Sequence, residues 1–251
     1  FRSTRLSPAR KRRWFRAWFA GRVRAMLRGS FQSVRVCGLE RLRTAVQAGP
    51  VLVVSNHVSW WDPLVALFVT EVLAPCDSYA LMDAANLRRL PFFALIGGFG
   101  VDLTSPSDGA ASMRYAVKLL KNKSSLVWVF PQGRERPPTV RPLGFRPGSA
   151  EIARLAKAVT VPVALRYEFA ERERPYLYAH VGEPIAAERD VTRALETHER
   201  RVLEGLEDIE ASLVAGDLTR YETVLARPPD RLGALAERAL AWITRPLALK
   251  E

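Results

Sequence analysis

The chain has 251 residues, 48% of them hydrophobic, and a formal net charge of +12. That length and apolar content suit one domain with a sizeable core, and no stretch has the composition of a flexible linker between two domains. Cys37 and Cys76 lack Cys-x-x-Cys or Cys/His ligand spacing, so neither a disulfide framework nor a zinc site is indicated, and a reducing, cytosol-facing compartment fits best.

The charge is concentrated at one end. Residues 1–43 hold thirteen Arg and Lys with only Glu40 as an acid, whereas the remainder carries 25 basic and 25 acidic residues. A helix is expected over Arg12–Arg28, because Trp14, Phe15, Trp18, Phe19, Val23, Met26 and Leu27 recur along one stripe of a 3.6-residue period. Arg12, Arg13, Arg16, Arg22, Arg24 and Arg28 fill much of the rest. Such a helix has the makeup of an interfacial membrane element, so residues 1–30 read as a basic arm for an anionic membrane surface. An ordinary docked helix with solvated charges is the alternative; nucleic acid is disfavoured because no helix-turn-helix, zinc-finger or RNA-binding aromatic motif accompanies the arm. No run approaches the roughly 20 apolar residues of a membrane-spanning helix, so the protein is expected to lie on a membrane rather than cross it. Phe rather than Met at position 1 leaves room for a preceding segment.

Strands are expected at Val34–Cys37, Val51–Ser55, Ser78–Leu81, Leu126–Phe130, Val161–Tyr167 and Leu177–Val181, each rich in β-branched or aromatic residues. The remaining helices are expected at Pro63–Leu73, Gly109–Leu120, Ser149–Ala158, Thr192–Val214 and Arg231–Ile243. This alternation predicts an α/β sheet with helices on both faces, and ligands in such sheets gather beyond the carboxyl ends of strands. Two strand endings then become candidates for one crevice: Asn56-His57 after the second strand, and Phe130-Pro131-Gln132-Gly133-Arg134-Glu135-Arg136 at the fourth.

The first ending continues as Ser55-Asn56-His57-Val58-Ser59-Trp60-Trp61-Asp62. A histidine and an aspartate five positions apart, where a buried strand gives way to a helix, suit a general base and its orienting carboxylate. The competing role for Asp62 is that of a helix N-cap, with Pro63 first in the helix and Leu64, Val65, Leu67 and Phe68 behind it. A carboxylate has lone pairs for both duties. Ser59 reads as a loop or cap residue, and His180 and His198 as structural.

The Asn56-His57-x-x-x-x-Asp62 segment resembles the Asn-His-x-x-x-x-Asp motif of the PlsC-like glycerolipid acyltransferases, the 1-acylglycerol-3-phosphate and lysophospholipid acyltransferases. Phe130-Pro131-Gln132-Gly133-Arg134-Glu135 is similar to that family's Phe-Pro-Glu-Gly-Thr-Arg block, which lies near the acceptor's phosphate. Phe145-Arg146-Pro147-Gly148 resembles its Phe-Lys-x-Gly helix entry, and Val161-Pro162-Val163 its last block. The blocks span about residues 34–182 in family order. The resemblance implies a single-domain α/β acyltransferase fold over residues 31–251, with core motifs in 51–165, a mixed sheet flanked by helices and the amphipathic helix in front.

By the same resemblance the reaction is O-acyl transfer from acyl-CoA or acyl-ACP to the hydroxyl of a lysophospholipid of the lysophosphatidic acid type, at the cytoplasmic face of the cell membrane. No metal is implied, and no cofactor beyond the acyl thioester co-substrate. His57 would be the general base and Asp62 its partner, with Asn56, Gln132, Gly133, Arg134, Arg136 and Arg146 contacting substrate and Arg141 in the same cationic cluster. With no Gly-x-Ser-x-Gly elbow and both cysteines outside the motifs, the substrate hydroxyl is the nucleophile. Backbone N–H groups near Gly133 or after His57 are candidate oxyanion donors. The apolar stretch Pro91–Val101 is either a wall of the acyl channel or plain core. Of Trp60 and Trp61, one is expected buried and the other near the entrance.

The chain departs from the pattern at four places. Gln132 replaces the family's Glu, Arg134 its Thr, Glu135 its Arg, and Leu103 an Arg in the block Gly98-Phe99-Gly100-Val101-Asp102. Leu103 and Glu135 motivate, as an alternative acceptor, a lipid without phosphate such as a glycosylated carotenoid or lyso-ornithine lipid. A catalytically silent lipid-surface binder is the alternative from another class, and the intact His57 and Asp62 argue against it.

Overall fold

The computed structural model describes residues 6–101, 106–228 and 242. The expected helix over Arg231–Ile243 lies outside these residues except for position 242, and Leu103 lies outside them altogether. The β-branched run Val51–Ser55 is strand β2, buried along its whole length and paired in parallel on both sides. Its neighbours are β5 (Ser125–Val129) and β6 (Val159–Glu168), with Val54 opposite both Val129 and Pro162. A strand covered on both faces has no polar side, and here its alternation sorts residues between two cores. Val51 and Val53 join Leu126 and Trp128 on one face, while Leu52 and Val54 join Val127 and Val129 on the other.

The remaining strands are β1 (Ser33–Cys37), β3 (Asp77–Asp83), β4 (Gly98–Val101), β7 (Tyr176–Val181) and β8 (Glu222–Ala226), giving a mixed eight-stranded sheet in the order β4-β3-β5-β2-β6-β7-β1-β8. One face is covered by α1 (Arg13–Ser30), α2 (Leu39–Ala48), α3 (Asp62–Phe68), α4 (Ala84–Arg89) and α5 (Phe92–Ile96), the other by α6 (Pro106–Leu119), α7 (Gly148–Ala156) and α8 (Val191–Ala215). The helix expected over Pro63–Leu73 is α3 followed by a π-helical turn, Val69–Leu73, closed by the Ala74 amide bonding back to the Val69 carbonyl at 2.7 Å. Helix α8 starts on an Asp190 cap that accepts from Thr192 and Arg193 and stops at Gly216 in the left-handed region.

The basic arm divides along its length. Val23 and Leu27 are fully buried against the first core, Phe15, Phe19 and Met26 are partly buried, and Trp14 and Trp18 face outward at 71% and 60% exposure. Arg16 does not belong to the solvated face: it points inward, paired with Glu71 and bonded to Ser78. Ahead of the helix, residues 6–12 lie along the sheet edge, where the Gly100 amide donates to the Ser7 carbonyl at 2.8 Å and the Arg10 amide to Ala94 at 2.8 Å. Lys11 pairs with Asp77 and sits 3.3 Å above the Tyr79 ring. Edge strand β4 is therefore covered rather than left free to pair with another chain. Among the described residues no helix is long and apolar enough to cross a membrane.

Candidate active site

Strand β2 ends where the side chain of Asn56 takes over its ladder. Asn56 Nδ2 donates to the Leu165 carbonyl and Oδ1 accepts from the Leu165 amide, both at 2.8 Å. The expected substrate contact at Asn56 is thus replaced by a structural role, because both polar ends of its amide are consumed and the residue is 1% exposed. Released from the sheet, His57 is held by the β5 ending. Its amide donates to Gln132 Oε1 at 2.5 Å, and its carbonyl accepts from the Arg136 amide at 2.9 Å. Gln132 also donates to the Leu143 carbonyl and is buried at 2% exposure. It sets the backbone of His57 from behind rather than meeting substrate. The two endings expected to share a crevice do so, joined through their main chains.

The His57 ring stacks on Phe130 with centroids 4.6 Å apart. Its Nδ1 lies 2.7 Å from Asp62 Oδ2, which also accepts from the amides of Val58 at 2.7 Å and Ser59 at 2.9 Å. The second carboxylate oxygen accepts from the Tyr167 hydroxyl at 2.6 Å. The Asp62 side chain is fully buried and that of His57 is 14% exposed. A carboxylate only accepts, so Nδ1 carries the hydrogen and the Nε2 lone pair is directed elsewhere. The capping alternative for Asp62 fails on geometry. The residue lies inside the first turn of α3, and its oxygens turn back to the preceding loop instead of the helix's own N–H groups. Ser59 Oγ accepts from the Trp61 amide at 3.2 Å, as a loop residue does.

His57 opens on a cleft of about 540 Å³. Leu81, Met82, Leu90, Phe93, Met113 and Ile152 give it apolar walls, and Arg89, Arg134 and Arg146 supply cations. A small apolar pocket of about 30 Å³ shares Pro63, Ala80, Met82 and Phe93 with the cleft and continues past Leu67 and Ile96 to Trp128. Within the stretch Pro91–Val101, Phe93, Ile96 and Gly97 line these spaces, whereas Phe99 is fully buried in the opposite core. Gly97 has φ +111°, and a β-carbon there would come within 2.7 Å of the Ser78 carbonyl oxygen, so only glycine fits. Trp60 stands 54% exposed at the cleft, while Trp61 packs on Phe31.

The arginine-rich loop contributes unequally. Arg134 and Arg146 line the cleft, and Gly133, at φ +72°, leaves room for the Arg146 guanidinium that a β-carbon would crowd at 3.3 Å. Arg136 packs instead at Gly144, and Arg141 donates to the carbonyls of Pro138 and Val140; neither lines the cleft. Glu199 of α8 accepts from the amides of Gly144 and Phe145 and so anchors this loop. Three of the expected backbone oxyanion donors are engaged: Gly133 with the Phe130 carbonyl, Val58 and Ser59 with Asp62. Glu135, which also lines the cleft, places Oε1 3.7 Å from His57 Nε2. His180 lies away from the site and pairs with Asp208 at 3.0 Å, and burial lowers the affinity of its ring for a proton. Among the described residues no group of side chains could hold a metal ion.

Asp83, Asn86, Arg89 and Tyr167 belong to the site without having been foreshadowed. The first three arrive because β3 lies beside β5, and Tyr167 because β6 lies beside β2. Only the strand order could have revealed them.

A histidine–carboxylate pair thus stands at the carboxyl edge of a parallel strand and opens on an apolar-walled cleft. Residues 33–166, just over half of the chain, match the family model described as Acyltransferase, and the chain belongs to that family. Over 116 residues it is 28% identical to the 1-acyl-sn-glycerol-3-phosphate acyltransferase of Streptococcus pneumoniae (strain ATCC BAA-255 / R6), a stretch covering 45% of this chain and 40% of that relative's length. Its fold is similar to the crystal structure of the 1-acyl-sn-glycerophosphate (LPA) acyltransferase PlsC from Thermotoga maritima. That likeness has a TM-score of 0.56 at 20% identity and covers 80% of this chain and 84% of the other.

Proposed function

We propose that this protein moves a fatty acyl group from acyl-CoA or acyl-ACP to the hydroxyl of a lysophospholipid of the lysophosphatidic acid type, with His57 as general base. The observation that carries the reading is the 2.7 Å pairing of His57 Nδ1 with buried Asp62, which leaves Nε2 facing the cleft. The acceptor hydroxyl gives its proton to Nε2 as its oxygen attacks the thioester carbonyl. Asp62 then balances the charge on the imidazolium, and collapse of the tetrahedral intermediate returns the proton to the departing thiolate. Arg134 and Arg146, which line the cleft, would face the developing oxyanion.

The lipid substrates would be met at an anionic bilayer, on the cytoplasmic face of the membrane. The outward Trp14 and Trp18, flanked by exposed Arg13, Arg22 and Arg24, support this siting. The decisive assay is incubation of purified protein with radiolabelled acyl-CoA or acyl-ACP and a panel of lysolipids and glycolipids, with identification of the product. His57→Ala should lower turnover by roughly 10²–10⁴-fold without unfolding the chain. Near-normal turnover in the folded variant rejects the mechanism. One observation favours a second acceptor: Glu135, 3.7 Å from Nε2, opposes a phosphomonoester and accommodates an uncharged or cationic head group.

A further inference from the structure

Tyr167 belongs to no motif that the sequence displays, yet its hydroxyl donates to Asp62 Oδ1 at 2.6 Å. The other carboxylate oxygen carries all the remaining bonds, from His57 Nδ1 and the amides of Val58 and Ser59. Among the described residues Tyr167 is thus the one group holding Oδ1. Rotation of an aspartate carboxylate about its last torsion is soft and nearly two-fold, so bonds gathered on a single oxygen leave its plane free to swing. A donor on the second oxygen fixes that plane. The Tyr167 ring is itself confined: its centroid lies 5.7 Å from that of Phe31 at the end of α1, and Phe31 also meets Trp61 edge-on at 5.2 Å.

We propose that Tyr167 is a positioning residue, clamping the Asp62 carboxylate in the rotation that presents Oδ2 to His57 Nδ1. The role rests on His57 acting as the general base. Burial, followed by the neighbouring Asp62 charge, holds the Tyr167 phenol well above its ordinary range. The group therefore remains a protonated donor wherever the protein is folded at neutral pH.

Tyr167→Phe removes the hydroxyl and keeps the ring against Phe31. We expect kcat to fall roughly 10- to 100-fold, the cost of a slightly misplaced catalytic group, with KM unchanged. The hydrogen-bonded Nδ1 proton of His57 should move or broaden in the proton NMR spectrum of the free protein, a readout that needs no substrate, at a melting temperature close to wild type. A kcat within about twofold of wild type with that resonance in place overturns the proposal. A raised KM at unchanged kcat also overturns it, by making Tyr167 a substrate contact. Normal turnover in folded His57→Ala overturns this role and the general-base reading together, whereas an inactive His57→Ala beside a fully active Tyr167→Phe overturns the positioning role alone.

Discussion

Asp62→Asn separates an orienting carboxylate from a mere structural acceptor, and the structure sets what each would do. The carboxylate takes three donors on Oδ2 and one on Oδ1. An asparagine can place its oxygen at the Oδ2 position and keep those three, turning its NH₂ toward Tyr167, whose hydroxyl also accepts. The shape of the site then survives. The change replaces bonds to a charged group, worth about 1.5–3 kcal/mol each, with neutral ones worth about 0.5–1.5 kcal/mol. Relief of a buried charge offsets part of that, so a net destabilisation of roughly 1–3 kcal/mol is expected. The effect on rate is larger, because the imidazolium loses its counter-charge: a fall in kcat of about 10²–10⁴-fold. Denaturant unfolding and initial rates with a labelled acyl thioester measure both. A folded Asp62→Asn protein with near-wild-type kcat refutes the reasoning, whatever its stability.

Membrane docking is better tested by point changes than by truncation, since removing residues 1–28 would also strip buried Val23 and Leu27 and the Arg16 pair with Glu71. Replacing exposed Arg13, Arg22 and Arg24 by Gln should weaken partitioning onto anionic vesicles by roughly 10²-fold at low salt, at about 1 kcal/mol each; unchanged sedimentation argues against the arm. His198 is buried with no partner on Nδ1 among the described residues, and burial lowers its pKa to about 4. The unfolded chain therefore binds the extra proton first, so stability is complete above about pH 6.5 and declines as pH falls toward 4, by at most about 3 kcal/mol. His198→Leu should flatten that acid limb in urea titrations, and a limb of the same depth would place the sensitivity elsewhere. Glu135→Gln should raise the ratio of lysophosphatidic acid turnover to that of an uncharged lipid alcohol by about tenfold, roughly 1.4 kcal/mol of transition-state binding. An unchanged ratio shows that Glu135 does not meet the acceptor.

What the sequence revealed follows from which signals are local. Strands β2 and β5 were legible because double burial leaves unbroken β-branched runs, and His57 and Asp62 because they lie five positions apart at a strand end. Helix α2 escaped notice since its inward stripe is only Leu39, Leu42 and Ala45 amid charged neighbours. Strand β8 is an exposed edge with Leu225 as its one buried residue, so it shows no alternation, and β4 is half glycine. The inward turn of Arg16 was hidden because helical spacing tells which residues share a face, not that Glu71 waits beneath it. Tyr167 and Arg89 depend on strand order, which no local pattern records.

The departures from the family pattern acquire different meanings once placed. Gln132 looks like the loss of a charge, yet its amide donates to the Leu143 carbonyl while accepting from the His57 amide. An ionised carboxylate there could accept from His57 but would face the Leu143 oxygen without a proton to offer. The amide is therefore suited to the loop this chain builds, and it bears on the placement of His57 rather than on the acceptor. Glu135 is the reverse case. Its side chain is 55% exposed, and its Oε1 lies 3.7 Å from His57 Nε2. With Arg89, Arg134 and Arg146 and the carboxylates of Asp83 and Glu135, the cleft lining carries three cations and two anions. A dianionic phosphate gains from the arginines and is opposed by the carboxylates; a neutral polyol can hydrogen-bond to either kind of group. Solvent screening weakens the opposition at this exposure, so the balance is set by how closely the head group must pass Glu135 to bring its hydroxyl to His57.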